Sequence, residues 1–595
     1  MVILGINEGH ESGACLFVDG RIVASASEER FSRQKNDCGW PRLAVQYCLA
    51  EGNITGSDLD KVAIATIALD PLEMRIKRGC NYDIGDYLRE NEIYWHPRLI
   101  EGKDIDFYDI VEAIPYYSLE TDLPYDFSFL DAHSGPKDRV EFFTIERRRN
   151  AAAQLQIDPD KVVFIDHHLC HAAYAYFASE SRERTLVITA DGWGDGANAT
   201  VGIGEGNDLE LVFRTPMNDL ARIYRWSTLL LGMKPNEHEY KVMGLAPYAK
   251  EYITKEPYDL YKSTLQVDGL DFNYKVKPTD LYYWFKERFA GCRFDGIAGG
   301  LQRFTEELMA EWVGNCIDHY GIKKIVLSGG LALNIKANKR IAELANANEI
   351  FVAPGGGDTS VGVGAAYAQA ACNEGGSRGD ISGLDHAYLG PEFSNDAIWH
   401  AIGEAGIEGN YKVEKAVSAD AVAAHLADGR VVARCCGRME FGARALGNRS
   451  ILANPGKFEV VQIINEKIKN RDFWMPFTPS ILQERSEDYL VNPKKLRAPF
   501  MTMAFESTAL AREDLAAAIH PYDKTVRPQI VTRETNLQYY ELIKAFERQT
   551  GIGALLNTSL NLHGDPVVCS PEDAIYTFEH SGLDMLLMND ILVSK

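Results

Sequence analysis

No apolar run in this 595-residue chain approaches the roughly 18 residues that a membrane span needs, so no transmembrane helix is predicted. The opening residues "MVILGINEGH" have no basic leader and no small-residue cleavage site. They run straight into a strand pattern, so a signal peptide is not expected and a cytoplasmic location is the default. Eleven cysteines stand singly apart from the neighbours Cys435 and Cys436, and none form a CxxC pair. The odd total and the spacing argue against a disulfide framework or a zinc ribbon; they read as reduced core residues. Basic residues are in deficit, 62 Lys and Arg against 85 Asp and Glu, and the net charge of −23 repels nucleic acid and anionic membrane. Any anion site must therefore be a local reversal of sign. No low-complexity tract, internal sequence repeat or long linker is visible.

What is present is a composition of 46% hydrophobic and 25% charged residues, that of a soluble globular protein. The length exceeds one ordinary core and predicts two or more domains. The first thirty residues alternate: "VILGI", a polar loop carrying His10, "ACLFV", Asp19-Gly20, and "RIVASAS". An Asp-Gly between alternating apolar runs is a strong hairpin signal. A second strand, from Arg184, again leads to an acidic glycine loop with Asp191, Gly192, Gly194 and Gly196. Two more strands, from Lys324 and Glu349, each lead through glycines into a helical pattern: Ser328-Gly329-Gly330 with Asn334, and Gly355-Gly356-Gly357. Such loops let backbone N–H groups approach phosphates, although glycines are also ordinary turn residues. Residues 70 to 160 and 250 to 300 are aromatic and charged with weak periodicity, and read as insertions that shape a pocket. The pattern lapses near residues 405 to 412, where a new set of strands and helices begins.

In "DHHLCHAAYAY", His167 and His171 are four residues apart at the start of a helical pattern, on one face and about 6 Å apart. That spacing suits a shared ion and equally a hydrogen-bonded buried pair; His168 points elsewhere. Carboxylates at strand ends, Asp191 and Asp358, add to the metal reading. Two imidazoles with one or two carboxylates suit a first-row divalent ion such as Fe(II) or Mn(II) better than a closed zinc site.

Seven stretches, "GINEGHESGACLFVDGRIVASASEERFSRQKND", "DHHLCHAAYA", "ADGWGDG", "KVMGLAPYAK", "LSGGLALN", "GRMEFGARALGNRSILANP" and "NTSLNLHGDPVV", occur in this order across nearly the whole chain. Together they resemble the signatures of the NodU/CmcH family of O-carbamoyltransferases. The resemblance implies an α/β chain with an N-terminal actin/sugar-kinase/Hsp70-type domain over 1–408 and a C-terminal YrdC-like domain over 409–595. It implies two linked reactions: carbamoyl phosphate and ATP give carbamoyl-adenylate in the second domain, and the carbamoyl group passes to a hydroxyl of a small natural product in the first.

The same resemblance makes His167, His171, Asp191 and Asp358 the ligands of a ferrous-type ion, with Mn(II) or Mg(II) as alternatives, and leaves His168 structural. It makes His10 the general base, since a histidine can take a proton from a hydroxyl near neutral pH. Lys35, in the charged run "SEERFSRQK", becomes a holder of phosphate or carbamoyl oxygen as readily as part of a solvated face. Glu11 stands where aspartate is more usual, which leaves its reach in question. Between Arg434 and Arg449 lie four arginines and a single acid, Glu440, followed by Lys467, Lys469 and Arg471. This is the expected reversal of sign, and arginine forks bind phosphate oxygens two at a time. Arg438, Arg444, Lys469, Arg471 and Arg527 are the candidates for the activating site, with Asn557 and Ser559 as polar partners. Ala443, Leu560 and Asp565 depart from the family pattern without removing an ionic group.

A sugar-kinase-like phosphotransferase would explain the glycine loops but would leave the arginines idle. An Hsp70-like nucleotide-controlled binding protein would share the fold without group transfer. The acceptor is not legible; the acidic balance favours a cationic one.

Overall fold

The Asp19-Gly20 hairpin forms through a turn in which both residues take positive φ, 45° and 94°, the geometry that matches strand twist. It joins Gly13–Val18 to Arg21–Ser27, and Val2–Asn7 pairs antiparallel with Gly13–Val18. A computed structural model of the chain describes residues 1–80, 82–113, 121–130, 135–372, 380–469 and 471–595. These divide into two compact units, one of Met1–Val23, Asn36–Ile350 and Gly356–Gly383, the other of Ala24–Lys35, Phe351–Gly355 and Leu384–Lys595.

The first unit is built on one topology used twice. Its first sheet runs Arg21–Ser27, Gly13–Val18, Val2–Asn7, Lys61–Ala65, Val162–Ile165, with the last three mutually parallel. The second runs Asp208–Thr215, Ala197–Glu205, Thr185–Gly194, Lys324–Ser328, Glu349–Val352 in the same third-second-first-fourth-fifth order. This duplicated five-stranded arrangement is the actin/sugar-kinase/Hsp70 type of fold. No sequence repeat announced it, because the two halves share strand order and not residues.

Helix Val361–Ala371 packs against Val2–Asn7 and against helix His167–Ala178. Glycine makes this close approach possible. A Cβ on Gly364 would lie 1.9 Å from the Cys170 carbonyl oxygen, and one on Gly5 would lie 2.1 Å from that of Gly362. The weakly periodic regions are largely helical, and Leu72, Ile76, Tyr87 and Tyr94 share a buried cluster with Trp226 and Tyr282.

The second unit holds an eight-stranded mixed sheet with helices on both faces, an α/β domain of the kind the YrdC-like expectation requires. Its central strands alternate between two cores. Ala433 and Ile451 pack with helices Asn395–Ala405 and Pro571–Glu579, while Val432 and Leu452 pack with Ala419–Ala427 and Leu537–Thr550. No helix among the described residues is long and apolar enough to cross a membrane.

Candidate active site

His167 and His171 occupy the first turns of helix His167–Ala178, whose start is capped by the Asp166 side chain accepting from the Leu169 N–H. Their Nε2 atoms are 3.1 Å apart. Asp191 arrives from a strand whose pairing breaks between Ala190 and Gly194, a bulge that re-aims a side chain. Its Oδ2 lies 3.2 Å from His167 Nε2, and Asp358 Oδ1 lies 3.4 Å from His171 Nε2 and 3.7 Å from His167 Nε2. One ligand atom from each of the four residues lies within 4.8 Å of the rest. Ligand atoms about 2.1 Å from a common ion stand about 3.0 Å apart at right angles and about 3.4 Å apart in a tetrahedron, so the four fit a small divalent cation. Asp358 Oδ1 is buried and accepts no hydrogen bond among the described residues, as a carboxylate oxygen reserved for a cation would be. The δ nitrogens are held from behind, His167 Nδ1 by Thr66 Oγ1 at 3.0 Å and His171 Nδ1 by Ser328 Oγ at 3.2 Å.

Burial opposes a charged His167, but the hydrogen bond to Asp191 and the charges of Asp358, Asp191 and Asp195 prevail and raise it to about 9. Asp191 does not rescue His168, which burial and the two neighbouring histidines push down to about 3. His168 Nδ1 is 2.8 Å from Thr189 Oγ1, a structural place.

The two glycine loops clasp one another. The Gly329 N–H and the Ser328 hydroxyl both donate to the Gly356 carbonyl, and the Gly330 N–H donates to Asp191 Oδ1 at 2.7 Å. Gly357 accepts from the Ser360 N–H and hydroxyl, and Gly355 falls in the second unit. Asn334 caps helix Ile335–Ala342 and exchanges hydrogen bonds with Gln302, so its side chain is committed to the fold.

The His10 loop is fixed through Asn7, whose Nδ2 donates to the carbonyls of His10, Glu11 and Asp358. Glu11 accepts from the Thr359 N–H and hydroxyl, so the longer acid spans from the His10 loop to the loop of Asp358. Two carboxylates that the sequence reading passed over, Glu73 and Glu239, feel the charge of His10. Arg225 acts on both. It lies over the Trp226 ring at 4.9 Å, and its Nε is buried without a hydrogen bond among the described residues. The signal for Glu239 was "PNEHEY", an acid placed at the first turn of helix Glu239–Leu245.

Burial pushes the Glu239 carboxyl up to about 7 from 4.5, against the N–H groups of Asn236 and Glu239 and the charges of Arg225 and His10. A raised carboxyl means that the folded state holds the proton more tightly. Its contribution to stability is whole below pH 4.5 and is lost as pH rises to about 7. Glu239→Gln has no proton to lose. It should match the parent near pH 4 and exceed it by about 1–3 kcal/mol near pH 8 in denaturant unfolding. Equal stability of the two at both pH values would remove the buried-carboxyl account.

In the second unit, Lys35, Arg444, Lys469, Arg471 and Arg527 act on one another as like charges. Burial, with Arg471 and Lys35, drives Lys469 well below the ordinary lysine value; burial, with Arg444 and Arg471, does the same to Arg527. Lys469 Nζ donates to the Ser559 hydroxyl at 3.2 Å and the Asn561 carbonyl at 3.1 Å. Arg527 Nε and Asn557 Oδ1 are buried without a hydrogen bond among the described residues. In the run holding Lys35, Lys35 itself is exposed, whereas Arg30 is buried and donates to the Gly442 carbonyl, and Arg33 donates to the carbonyls of Pro566 and Val567. Arg438 donates to the carbonyls of Gly390 and Leu389.

The chain thus joins a duplicated sheet pair bearing a His/Asp cluster to an α/β unit in which Lys35, Arg444, Lys469, Arg471 and Arg527 carry like charges. The family models described as Carbamoyltransferase N-terminus and Carbamoyltransferase C-terminus match residues 2–367 and 423–595. An uncharacterized protein of Methanocaldococcus jannaschii is 31% identical, the match covering 100% of both chains. Nodulation protein NolNO of Sinorhizobium fredii is 30% identical over 98% of this chain and 79% of its own. The 3'-hydroxymethylcephem-O-carbamoyltransferase of Amycolatopsis lactamdurans is 31% identical over 45% of this chain and 48% of its own. The chain belongs to the carbamoyltransferase family. It is a transferase enzyme with O-carbamoyltransferases among its relatives, a family whose chemistry takes a carbamoyl donor and a hydroxyl acceptor.

Proposed function

We propose that the chain makes carbamoyl-adenylate from carbamoyl phosphate and ATP in its C-terminal part, residues 409–595 assisted by Lys35. The carbamoyl group then passes to a hydroxyl of a small natural product in the N-terminal part, residues 1–408. Carbamoyl phosphate and water give carbamate and phosphate; carbamate oxygen attacks the α-phosphorus of ATP and pyrophosphate leaves. The acceptor hydroxyl then gives its proton to His10, its oxygen bonds the carbamoyl carbon, and AMP departs. The observation that carries this reading is the group formed by Lys35, Arg444, Lys469, Arg471 and Arg527. Lys469 is opposed by the charges of Arg471 and Lys35, and Arg527 by those of Arg444 and Arg471, in a chain of net charge −23. Such a group favours a ligand with several phosphates. A phosphotransferase of the sugar-kinase type would leave it without work.

The loops of Ser328, Gly329 and Gly330 and of Gly356 and Gly357 are the nucleotide-facing loops in this reading, held in shape by the Gly329 N–H donating to Gly356 and the Gly330 N–H donating to Asp191. His167, His171, Asp191 and Asp358 hold a divalent ion, Fe(II) in this reading, with Mn(II) or Mg(II) as alternatives. Such an ion supplies Lewis acidity toward phosphate or carbamoyl oxygen. The fit of the four residues to an ion supports a direct test: protein purified without oxygen should carry bound metal, and His171→Ala should lose nearly all of it by elemental analysis. Equal metal in both would place the ion elsewhere. The reaction itself is tested by mass spectrometry of candidate alcohols incubated with carbamoyl phosphate and ATP. The expected result is a product heavier by one carbamoyl group, dependent on both co-substrates; a phosphorylated alcohol would overturn the proposal.

A further inference from the structure

Thr66, the residue after strand Lys61–Ala65, has φ of +66°. Glycine enters this left-handed region freely and asparagine tolerates it, but for a β-branched side chain it is a true outlier. Strain of this kind persists only where the surroundings over-determine it, and it gathers at functional sites. The surroundings here are explicit.

Arg147, wholly buried, donates through Nη2 to the carbonyls of Thr66 at 2.9 Å and Ala65 at 3.2 Å, and through Nη1 to that of Ile67 at 3.1 Å. Its Nε donates to Glu8 Oε2 at 2.6 Å, an ion pair with neither side chain exposed, and Tyr125 donates to the other Glu8 oxygen. Asp195 grips the far side, accepting from the N–H groups of Ile67, Ala68 and His167 at 2.9, 2.8 and 2.7 Å. The turn is thus held by a buried guanidinium at its carbonyls and a carboxylate at its amides. What it presents is the Thr66 hydroxyl, 3.0 Å from His167 Nδ1.

We propose that Thr66 is a positioning residue for the histidine–aspartate cluster. Arg147 and Asp195 lock its backbone in the left-handed region so that its hydroxyl accepts the Nδ1–H of His167. That fixes the tautomer whose bare Nε2 faces Asp191, Asp358 and His171. Glycine would suit the backbone better and would lack the hydroxyl, which is why a costly threonine stands there. Because Glu8 lies two residues from His10, the same buried strut braces the loop of the base. The inference rests on the reading of the cluster as an ion site, and on the general finding that a ligating imidazole needs a partner on its other nitrogen.

The test uses the full chain and Co(II) as probe, read by visible absorption and titration, beside the thermal midpoint without metal. Thr66→Ser should bind as the parent does, while Thr66→Val and Thr66→Gly should bind about 10–100-fold more weakly. Thr66→Gly should do so without lowering the thermal midpoint, because it relieves the strained φ; this separates positioning from mere structural damage. Parent-like Co(II) affinity in Thr66→Val or Thr66→Gly, with His171→Ala defective, would overturn this proposal alone. If the parent and His171→Ala bind Co(II) alike, the ion site itself fails and this inference falls with it.

Discussion

Arg527→Ala is expected to lower carbamoyl-phosphate-dependent pyrophosphate release by about 10²–10³-fold, the usual cost of losing one preorganised charge at a developing anion. Arg527 has a buried Nε that makes no hydrogen bond among the described residues. Burial and the charges of Arg444 and Arg471 oppose its own charge. An arrangement that costs free energy in the free protein stabilises only when an anion arrives. The substitution removes like-charge repulsion, so the thermal midpoint should hold or rise while activation fails. Arg438→Ala should show the reverse pattern. Its guanidinium is committed to the carbonyls of Leu389 and Gly390, so its loss should lower stability more than pyrophosphate release from properly folded protein. Unchanged pyrophosphate release in Arg527→Ala would move the activating site away from this group.

The parts of the fold legible in the sequence were those with local causes. Asp19-Gly20 sets a hairpin through positive φ at two adjacent residues, and the i, i+4 spacing of His167 and His171 needs only a helix to bring their Nε2 atoms to 3.1 Å. The duplicated sheet order was invisible because topology leaves no mark once residues diverge. Lys35 was read with the first domain because it falls within residues 1–408. The chain instead carries Ala24–Lys35 into the second unit, where Arg30 and Arg33 bond to backbone carbonyls. Asn334 and Arg438 look like ligand-binding residues by type, but Asn334 also caps a helix and bonds Gln302, and Arg438 also donates to backbone carbonyls, structural contacts whose partners lie far off in sequence. The support behind the ion site was the least legible part. Nothing in "AIATIALD" shows that Thr66 will hold a positive φ, since that conformation is imposed by Arg147 and Asp195 from elements distant in the chain.

His10→Ala is expected to leave carbamoyl-adenylate formation intact and to slow transfer to the acceptor hydroxyl by about 10²–10⁴-fold, the range lost with a general base. The separation should be clean because the His10 loop is held by its neighbours rather than by the imidazole. Asn7 Nδ2 bonds the carbonyls of His10, Glu11 and Asp358, the Gly9 N–H donates to Asn7 Oδ1, and Glu11 bonds Thr359. Alanine at position 10 therefore removes the proton acceptor and leaves the backbone beside Asp358 in place. Adenylate made without a competent acceptor step should accumulate or be hydrolysed. AMP release would then persist while carbamoylated product disappears, the opposite of the pattern for Arg527→Ala. Mixing the two variants should restore no product unless carbamoyl-adenylate released by His10→Ala reaches the intact base of Arg527→Ala through solution, so the mixture also reports whether the intermediate escapes. If His10→Ala and Arg527→Ala lose the same half-reaction, the division of labour between the His10 loop and the cation group is wrong.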